Sequence, residues 1–572
     1  MTAAIDRSVP LGLFWQRCWN YRRWLMWVPL LICLLPLAYG QGWVSESVLV
    51  MRYFGSPHTG SSYFFPLVAD QTRVLIALPL AVAALTPWPE WFVAALLVAT
   101  WLLVAGTTYL ITFRLFPENR TAAILAFLVA GTTAYDISLF HAGYLPFLIT
   151  SLLHWAGVWA LLVYCERRSI GWLLASSFLQ IASLLMYATA LPAIFACPFL
   201  ALAFIASRSD CRRALRPFAA IALAWWIPAI CYMGALAWVA MQPGNYITGG
   251  GLNLKSPVRF LGSAMILVGN NFNPMAWLHP HPYFGNPQRI VDPGVIWALA
   301  GLATALMVPL AIGASRAGAG VVSWRRSRWI LAALFLAIVV SNLATVMVQA
   351  SNLNFRTHVI SRLYAAILIA VFCSTFLRSR NIALWTIGLA VTLSLLAIGA
   401  WTVADRAAYL VSIWPRHRTE LRSLDNLVQT IDRRAAIVLF EPPGAGYTAT
   451  IVAWHALPWI MLMRGDDSAP PFALWSPARK ADCSVRGANL ECEGDVQKLV
   501  QIPLRQLVLL RYDIGDCRFK LVQNEWVDNS LPSPPPEYSP QSWILDRPLP
   551  SGDYFRRLVY GPQGLGREIL CQ

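Results

Sequence analysis

The sequence predicts a polytopic α-helical membrane protein with about eleven transmembrane helices. It adds a juxtamembrane helix in the first outer loop and a small α/β C-terminal domain outside the membrane. Three observations predict this class. First, 57% of the 572 residues are hydrophobic, only 13% are charged, and the mean hydropathy is +0.54, whereas a soluble domain runs about 45–50% apolar and about 25% charged. Second, apolar stretches close to the ~20 residues that cross a ~30 Å hydrocarbon core recur through the first 414 residues. Third, arginine is spread unevenly over the loops between them. The composition excludes a disordered chain, a collagen-like repeat and a small disulfide scaffold. It also leaves too little charge to cover a large soluble core.

The expected spans are 24–41, 91–113, 121–139, 145–164, 170–188, 190–207, 217–241, 293–315, 329–349, 361–377 and 381–404. Arg17, Arg22 and Arg23 precede the first, and no small-residue cleavage pattern follows it, so it reads as an uncleaved signal-anchor. The run Val74–Leu85 is short for a span, covering only ~18 Å as a helix, and reads as interfacial or re-entrant. Charge supports that choice. With Val74–Leu85 outside the membrane, 18 basic residues fall in the short loops assigned inside and seven in the longer loops assigned outside. If Val74–Leu85 spanned, every later arginine cluster would be translocated, against the positive-inside rule. The expected location is a bacterial-type inner (plasma) membrane, with the N-terminus cytoplasmic and the C-terminal domain extracytoplasmic. The net charge of +16 is thereby read as an orientation signal, not as a nucleic-acid footprint.

Composition changes after Trp414, dividing the chain into a transmembrane domain (1–414) and an extracytoplasmic domain (415–572). In the second, Ala436–Phe440 and Gln506–Arg511 read as short buried strands. Residues 420–433 read as an amphipathic helix with Leu421, Leu424, Leu427 and Ile431 on one face. Seven of the eleven cysteines lie in or beside spans and read as small hydrophobes. Cys483, Cys492, Cys517 and Cys571 all fall in the outer domain. Four cysteines in an oxidising compartment predict two disulfides; three connectivities are open, with Cys483–Cys492 preferred for its short spacing.

The outer loops carry the functional signal. One runs from Gly42 to about Glu90 and another from about Pro243 to Asp292, both rich in aromatic, Asn, Pro and Gly residues. Loops of this length are usually functional. The first holds Ser45-Glu46-Ser47, Arg52-Tyr53-Phe54-Gly55-Ser56-Pro57-His58, Tyr63-Phe64-Phe65-Pro66, Asp70 and Arg73. A long span follows, ending in Arg114-Leu115-Phe116-Pro117-Glu118-Asn119-Arg120. The order is an acid just beyond the first span, an aromatic stretch, a juxtamembrane helix, a cytoplasmic turn of this kind and an outer domain after the last span. It resembles the GT-C superfamily of membrane glycosyltransferases, which includes protein mannosyltransferases and aminoarabinose transferases.

The resemblance implies inverting-type transfer of a sugar from a polyprenyl-phosphate carrier to an envelope glycan, lipid or protein acceptor at the outer face of the membrane. A carboxylate of the outer loops takes the acceptor's hydroxyl proton and must reach it within hydrogen-bond distance. Cationic groups stabilise the departing phosphate, and the planar fork of arginine suits two phosphate oxygens. Glu46 is the first candidate base, followed by Asp70 and by Asp136 in the second outer loop. The competing readings are a helix-end charge paired with Arg73 for Asp70 and a solvated interfacial acid for Asp136. For phosphate the candidates are Arg52, Arg73, Arg356 and Arg362, with Lys255 and Arg259 as alternatives; each also reads as an interfacial snorkelling charge.

His279-Pro280-His281 offers two imidazoles, but the intervening proline excludes a helical pair. A divalent ion is left open as a cofactor and no metal ligand is assigned. No Walker loop, HExxH motif or CxxC pair occurs. Two alternatives to the transferase are a transporter or flippase for a lipid-linked precursor and a polymerase or ligase of lipid-linked glycans. A transporter usually shows internal repeats and charged or broken helices near the midplane. Here no repeat is evident and polar residues gather in the outer loops.

Overall fold

A computed structural model of the chain describes residues 26–39, 75–76, 78–84, 86, 89–133, 145–208, 211–241, 257–274, 277, 290–317, 324–348, 359–442, 456–465, 471–475, 481–494, 497–513, 515–522 and 538–560. Helices come first: α1 (Trp27–Leu34, prolonged by a 3-10 turn to Tyr39), α2 (Leu78–Ala84), α3 (Pro89–Leu115), α4 (Arg120–Thr132), α5 (Leu145–Arg167), α6 (Ile170–Met186) and α7 (Leu191–Ala206). They continue with α8 (Cys211–Ala240), α9 (Pro257–Asn270), α10 (Pro293–Ala317), α11 (Trp324–Val348), α12 (Val359–Leu377) and α13 (Ile382–Val428). Among the described residues, seven helices are long and apolar enough to cross a membrane: α3, α5, α7, α8, α10, α12 and α13. The other four expected spans coincide with shorter apolar helices at α1, α4, α6 and α11. The protein is a multi-pass membrane protein.

The ends of the helices are set by local chemistry. Asn119 caps α4, its Oδ1 accepting from the Ala122 amide at 3.0 Å, while its Nδ2 donates to Ser374 Oγ of α12 at 2.8 Å. Asn381 caps α13 in the same way, accepting from the Ala383 amide at 2.9 Å. Every residue of α4 from Thr121 to Thr132 is buried. A helix apolar on all sides belongs at the centre of a bundle, and α3, α12 and α10 pack around it. By contrast α6 turns Ile170, Leu174 and Phe178 outward, each more than 60% exposed.

Two segments depart from expectation. The stretch from about Pro243 to Asp292 was expected as a loop but contains α9, whose Ala264 and Leu267 pack on Leu343 of α11. Its 14 residues are fewer than a span requires. The amphipathic helix expected over 420–433 is the end of α13, which runs unbroken through Trp414 and stops at Val428. At 1.5 Å per residue, its 47 residues extend about 70 Å. Along the way it changes partners. Ser412 Oγ still accepts from the Ile290 amide at 3.0 Å beside the bundle, whereas Ser423 Oγ accepts from the Phe519 amide of the C-terminal sheet at 2.8 Å. Among the described residues the run Val74–Leu85 contains the seven-residue α2, in keeping with a juxtamembrane helix.

Close approach inside the bundle rests on small residues. A Cβ added at Gly399 of α13 would lie 2.8 Å from the Cβ and the carbonyl oxygen of Thr132 in α4. Gly399→Val should therefore destabilise the bundle by about 1–3 kcal/mol, the usual cost of overpacking. Thermal unfolding of the detergent-solubilised chain would show this as a lower midpoint, with Gly399→Ala falling between. A valine variant as stable as wild type would mean that α4 and α13 can part freely.

The C-terminal part adds β1 (Ala436–Phe440), α14 (Ala456–Arg464), β2 (Phe472–Trp475), β3 (Ala481–Arg486), β4 (Asn489–Gly494), β5 (Gln497–Pro503), β6 (Leu507–Asp513), β7 (Arg518–Leu521) and α15 (Asp553–Tyr560). One sheet has the order β2-β1-β6-β7, with β1 parallel to both neighbours and β7 antiparallel to β6. Strand β1 is buried along its whole length, as a central parallel strand covered on both faces must be. The second sheet is the antiparallel meander β3-β4-β5. Cys483 faces Cys492 across β3 and β4, and the two form a disulfide. Cys517 is also disulfide-bonded; Cys571, the remaining candidate, lies outside the described residues.

Candidate functional site

The helices alternate in direction, so the bundle has two ends. One carries the C-terminal sheet domain and the other does not. Arg362 lies in the first turn of α12, toward the domain end, and is only 1% exposed. Its guanidinium sits over the ring of Trp101 of α3, 4.7 Å from the centroid, and donates to the Thr133 carbonyl. Trp101 Nε1 donates to the Gly131 carbonyl at 2.7 Å. Both contacts meet the last turn of α4, where carbonyls lack helical partners and the helix dipole is negative. Arg362 is therefore held by a helix C-terminus and an aromatic face, in a fixed orientation.

A second arginine is buried further along the chain. Arg406 of α13, two turns beyond the Gly399–Thr132 contact, is 2% exposed and donates from Nη2 to the Trp277 carbonyl at 2.6 Å. Asp405 beside it is also buried. These two charges lie directly beyond the expected end of the last span at residue 404 and were not among the expected site residues. The signal was there: adjacent opposite charges directly after an apolar run.

Deeper in the bundle, polar side chains from four helices form a closed chain. Gln180 Nε2 of α6 donates to the His154 carbonyl of α5 at 2.9 Å, which fixes Gln180 Oε1 as the acceptor for His154 Nδ1 at 2.8 Å. With Nδ1 donating, neutral His154 accepts at Nε2 from Tyr364 Oη of α12 at 2.8 Å. Cys197 Sγ of α7 lies 3.0 Å from the same hydroxyl. All four residues are buried. Each donor has an acceptor, so this chain joins helices and presents no free base. Sequence reasoning missed it because a lone histidine within an apolar run shows no partner until the helices are packed.

Of the candidate residues, Glu46, Asp70, Asp136, Arg52, Arg73 and Arg356 lie outside the described residues, as do His58, His141, His279, His281 and His358. Among the described residues no group of three or more His, Cys, Asp or Glu is placed to hold a metal ion.

Where α13 leaves the bundle, a second polar cluster joins it to the sheet. Glu420 Oε1 accepts from Tyr512 Oη of β6 at 2.6 Å and from Arg416 Nε at 3.2 Å. The position lies 16 residues beyond the last expected span, against the sheet. Burial pushes the Glu420 carboxyl up to about 7, against the opposing pull of Tyr512 and Arg416 and with buried Glu441 adding to the rise. The folded chain thus keeps this proton where the unfolded chain, titrating near 4.5, has lost it. The contribution to stability is complete below about pH 4.5 and is lost as pH rises through 7. Unfolding midpoints at pH 5 and pH 8 should differ in that direction, and Glu420→Gln should shrink the difference. An equal pH dependence in wild type and variant would contradict it. One turn further along, Asp425 accepts from Ser551 Oγ at 2.7 Å and Tyr560 Oη at 3.1 Å, tying α13 to α15.

No family model and no curated protein matches the chain. Among solved structures it is similar to the crystal structure of ArnT from Cupriavidus metallidurans bound to undecaprenyl phosphate, at 14% identity and a TM-score of 0.32. The match covers 80% of this chain and 86% of that one. No residue role passes from that likeness to this chain.

Proposed function

We propose that this protein transfers a sugar from a polyprenyl-phosphate carrier to an envelope glycan, lipid or protein acceptor on the outer face of the membrane. The observation that carries the reading is Arg362. A cation buried to 1% within an apolar bundle is costly and marks a functional position by default. This one stands at the end of the bundle where the loops assigned outside emerge. Its partner Thr133 precedes Asp136 by three residues, no more than about 11 Å of extended chain. In this reading Arg362 meets the carrier phosphate, and Asp136, close in sequence to its partner Thr133, is one of the candidate bases. Glu46 and Asp70, in the first outer loop, supply the other candidate bases.

In this reading the residues divide the work. Arg362 stabilises the charge that grows on the departing phosphate. An outer-loop carboxylate takes the acceptor proton as its oxygen attacks the sugar C1. The sheet domain, fixed to the bundle through α13, covers the site or presents the acceptor. The test is a transfer assay with the purified full-length chain, a panel of polyprenyl-phosphate sugars and envelope acceptors. Acceptor-dependent loss of sugar from the carrier supports the proposal. Movement of the intact lipid-linked sugar across proteoliposomes, with no transfer, would instead establish the flippase reading.

A further inference from the structure

At the end of the bundle away from the sheet domain, α3, α5 and the turn after α7 are tied by one carboxylate. Glu166 pairs with Arg114 and, at 2.9 Å, with Arg208, whose Nη2 also donates to the Arg114 carbonyl at 3.0 Å. The guanidinium of Arg208 stacks on Phe204 at 4.1 Å and that of Arg114 lies over Trp159 at 5.4 Å. Beside this knot is a cleft of about 350 Å³ lined by Cys165, Glu166, Arg168, Phe204, Ile205 and Arg208. Two arginines against one glutamate leave a positive charge in excess. Arg168 adds another, exposed and without a hydrogen bond or ion pair from its side chain among the described residues.

We propose that this cleft binds the phosphate head group of an anionic membrane phospholipid. The charge suits a phosphodiester: a planar guanidinium takes two of its oxygens, and a basic pocket between transmembrane helices is a recurrent head-group site. The surroundings favour a lipid over a free anion. Phe204, under the guanidinium of Arg208, and Ile205 also line the cleft, although both are almost wholly buried. Two residues after Arg168 begins the outward stripe of α6, Ile170, Leu174, Phe178 and Ile181, at 65%, 64%, 70% and 38% exposure. The spacing of four, four and three keeps these side chains on one helical face. Over eleven residues they span about 16 Å, close to the ~15 Å of one leaflet. In the proposal the head group meets the arginines and an acyl chain lies along the stripe that begins two residues beyond Arg168. An orientation signal needs arginines at this end but needs neither cleft nor stripe.

The test uses native mass spectrometry of the full-length chain in detergent, titrated with phosphatidylglycerol or with phosphatidylcholine of the same acyl chains. Wild type should retain phosphatidylglycerol preferentially. Arg168→Asn should weaken that retention about fivefold, the expected contribution of one basic residue, and leave phosphatidylcholine unchanged. Arg168 has φ of +56°, a conformation asparagine tolerates, so this variant keeps the turn between α5 and α6. Arg208→Gln provides a second loss of charge, and a melting curve for each variant confirms folding. Equal retention of the two lipids by wild type would overturn the proposal, as would unchanged phosphatidylglycerol retention in both variants. Displacement of the lipid by inorganic phosphate at matched concentration would also overturn it, showing an anion site with no lipid requirement.

Discussion

Replacing the general base of the outer loops by its amide should lower sugar transfer by about two to four orders of magnitude, the usual contribution of a positioned acid–base group. Among Glu46→Gln, Asp70→Asn and Asp136→Asn, one variant should carry that loss in kcat and the others much less. The amide keeps the shape of the carboxylate and removes only its ability to accept a proton. Binding of the lipid-linked donor should survive, so KM for the donor moves little while turnover falls. A solvated acid at the membrane surface behaves differently: its amide costs nothing in rate. Full turnover in all three variants would leave the mechanism without a base and would end the transferase assignment of these loops.

Arg362→Met should lower the transfer rate by about two to three orders of magnitude, the typical effect of removing one preorganised group that stabilises developing charge. It should also destabilise the chain by about 1–3 kcal/mol, because the Thr133 carbonyl at the end of α4 loses its donor inside the bundle. Arg362→Lys separates the two effects. An ammonium can still satisfy the Thr133 carbonyl and place a positive charge at the helix C-terminus, so stability should largely return. It is a single point of charge and cannot face Thr133, lie flat on Trp101 and hold two phosphate oxygens together. The rate should therefore remain low. A lysine variant with wild-type turnover would make Arg362 a helix cap and nothing more.

The helical architecture was legible because it depends on the apolar content of each segment. Ten of the eleven expected spans begin within five residues of an observed helix start; the exception, 217–241, falls on α8, which begins six residues earlier and ends at Ala240. Strand β1 matches the expected Ala436–Phe440, because the short apolar run Ala435–Phe440 stands between Arg434 and Glu441. The continuity of α13 was not legible. Composition shifts sharply after Trp414 and suggests a boundary, yet Pro415 sits in the helix without ending it. Helix geometry follows the backbone, and a change from lipid-facing to sheet-facing side chains does not break it. The closed chain of His154, Gln180, Tyr364 and Cys197 was invisible for another reason. Its members lie 17 to 210 residues apart, and only packing brings four helices to one point. The basic cleft was half legible: its arginines were counted for orientation, but the shared carboxylate and the cavity beside it belong to the tertiary structure.

The length of α13 has a mechanical consequence. About 30 Å of its ~70 Å is enough to cross the hydrocarbon core, which leaves about 40 Å as an arm beyond it. A tilt of about 5° within the bundle displaces the far end of such an arm by about 3 Å, roughly the length of a hydrogen bond. The Tyr512–Glu420 and Ser423–Phe519 contacts clamp the sheet to that arm, so the sheet rides with the displacement. Small rearrangements around α4 and α12 are thus geared up into movements of a few ångströms at the sheet.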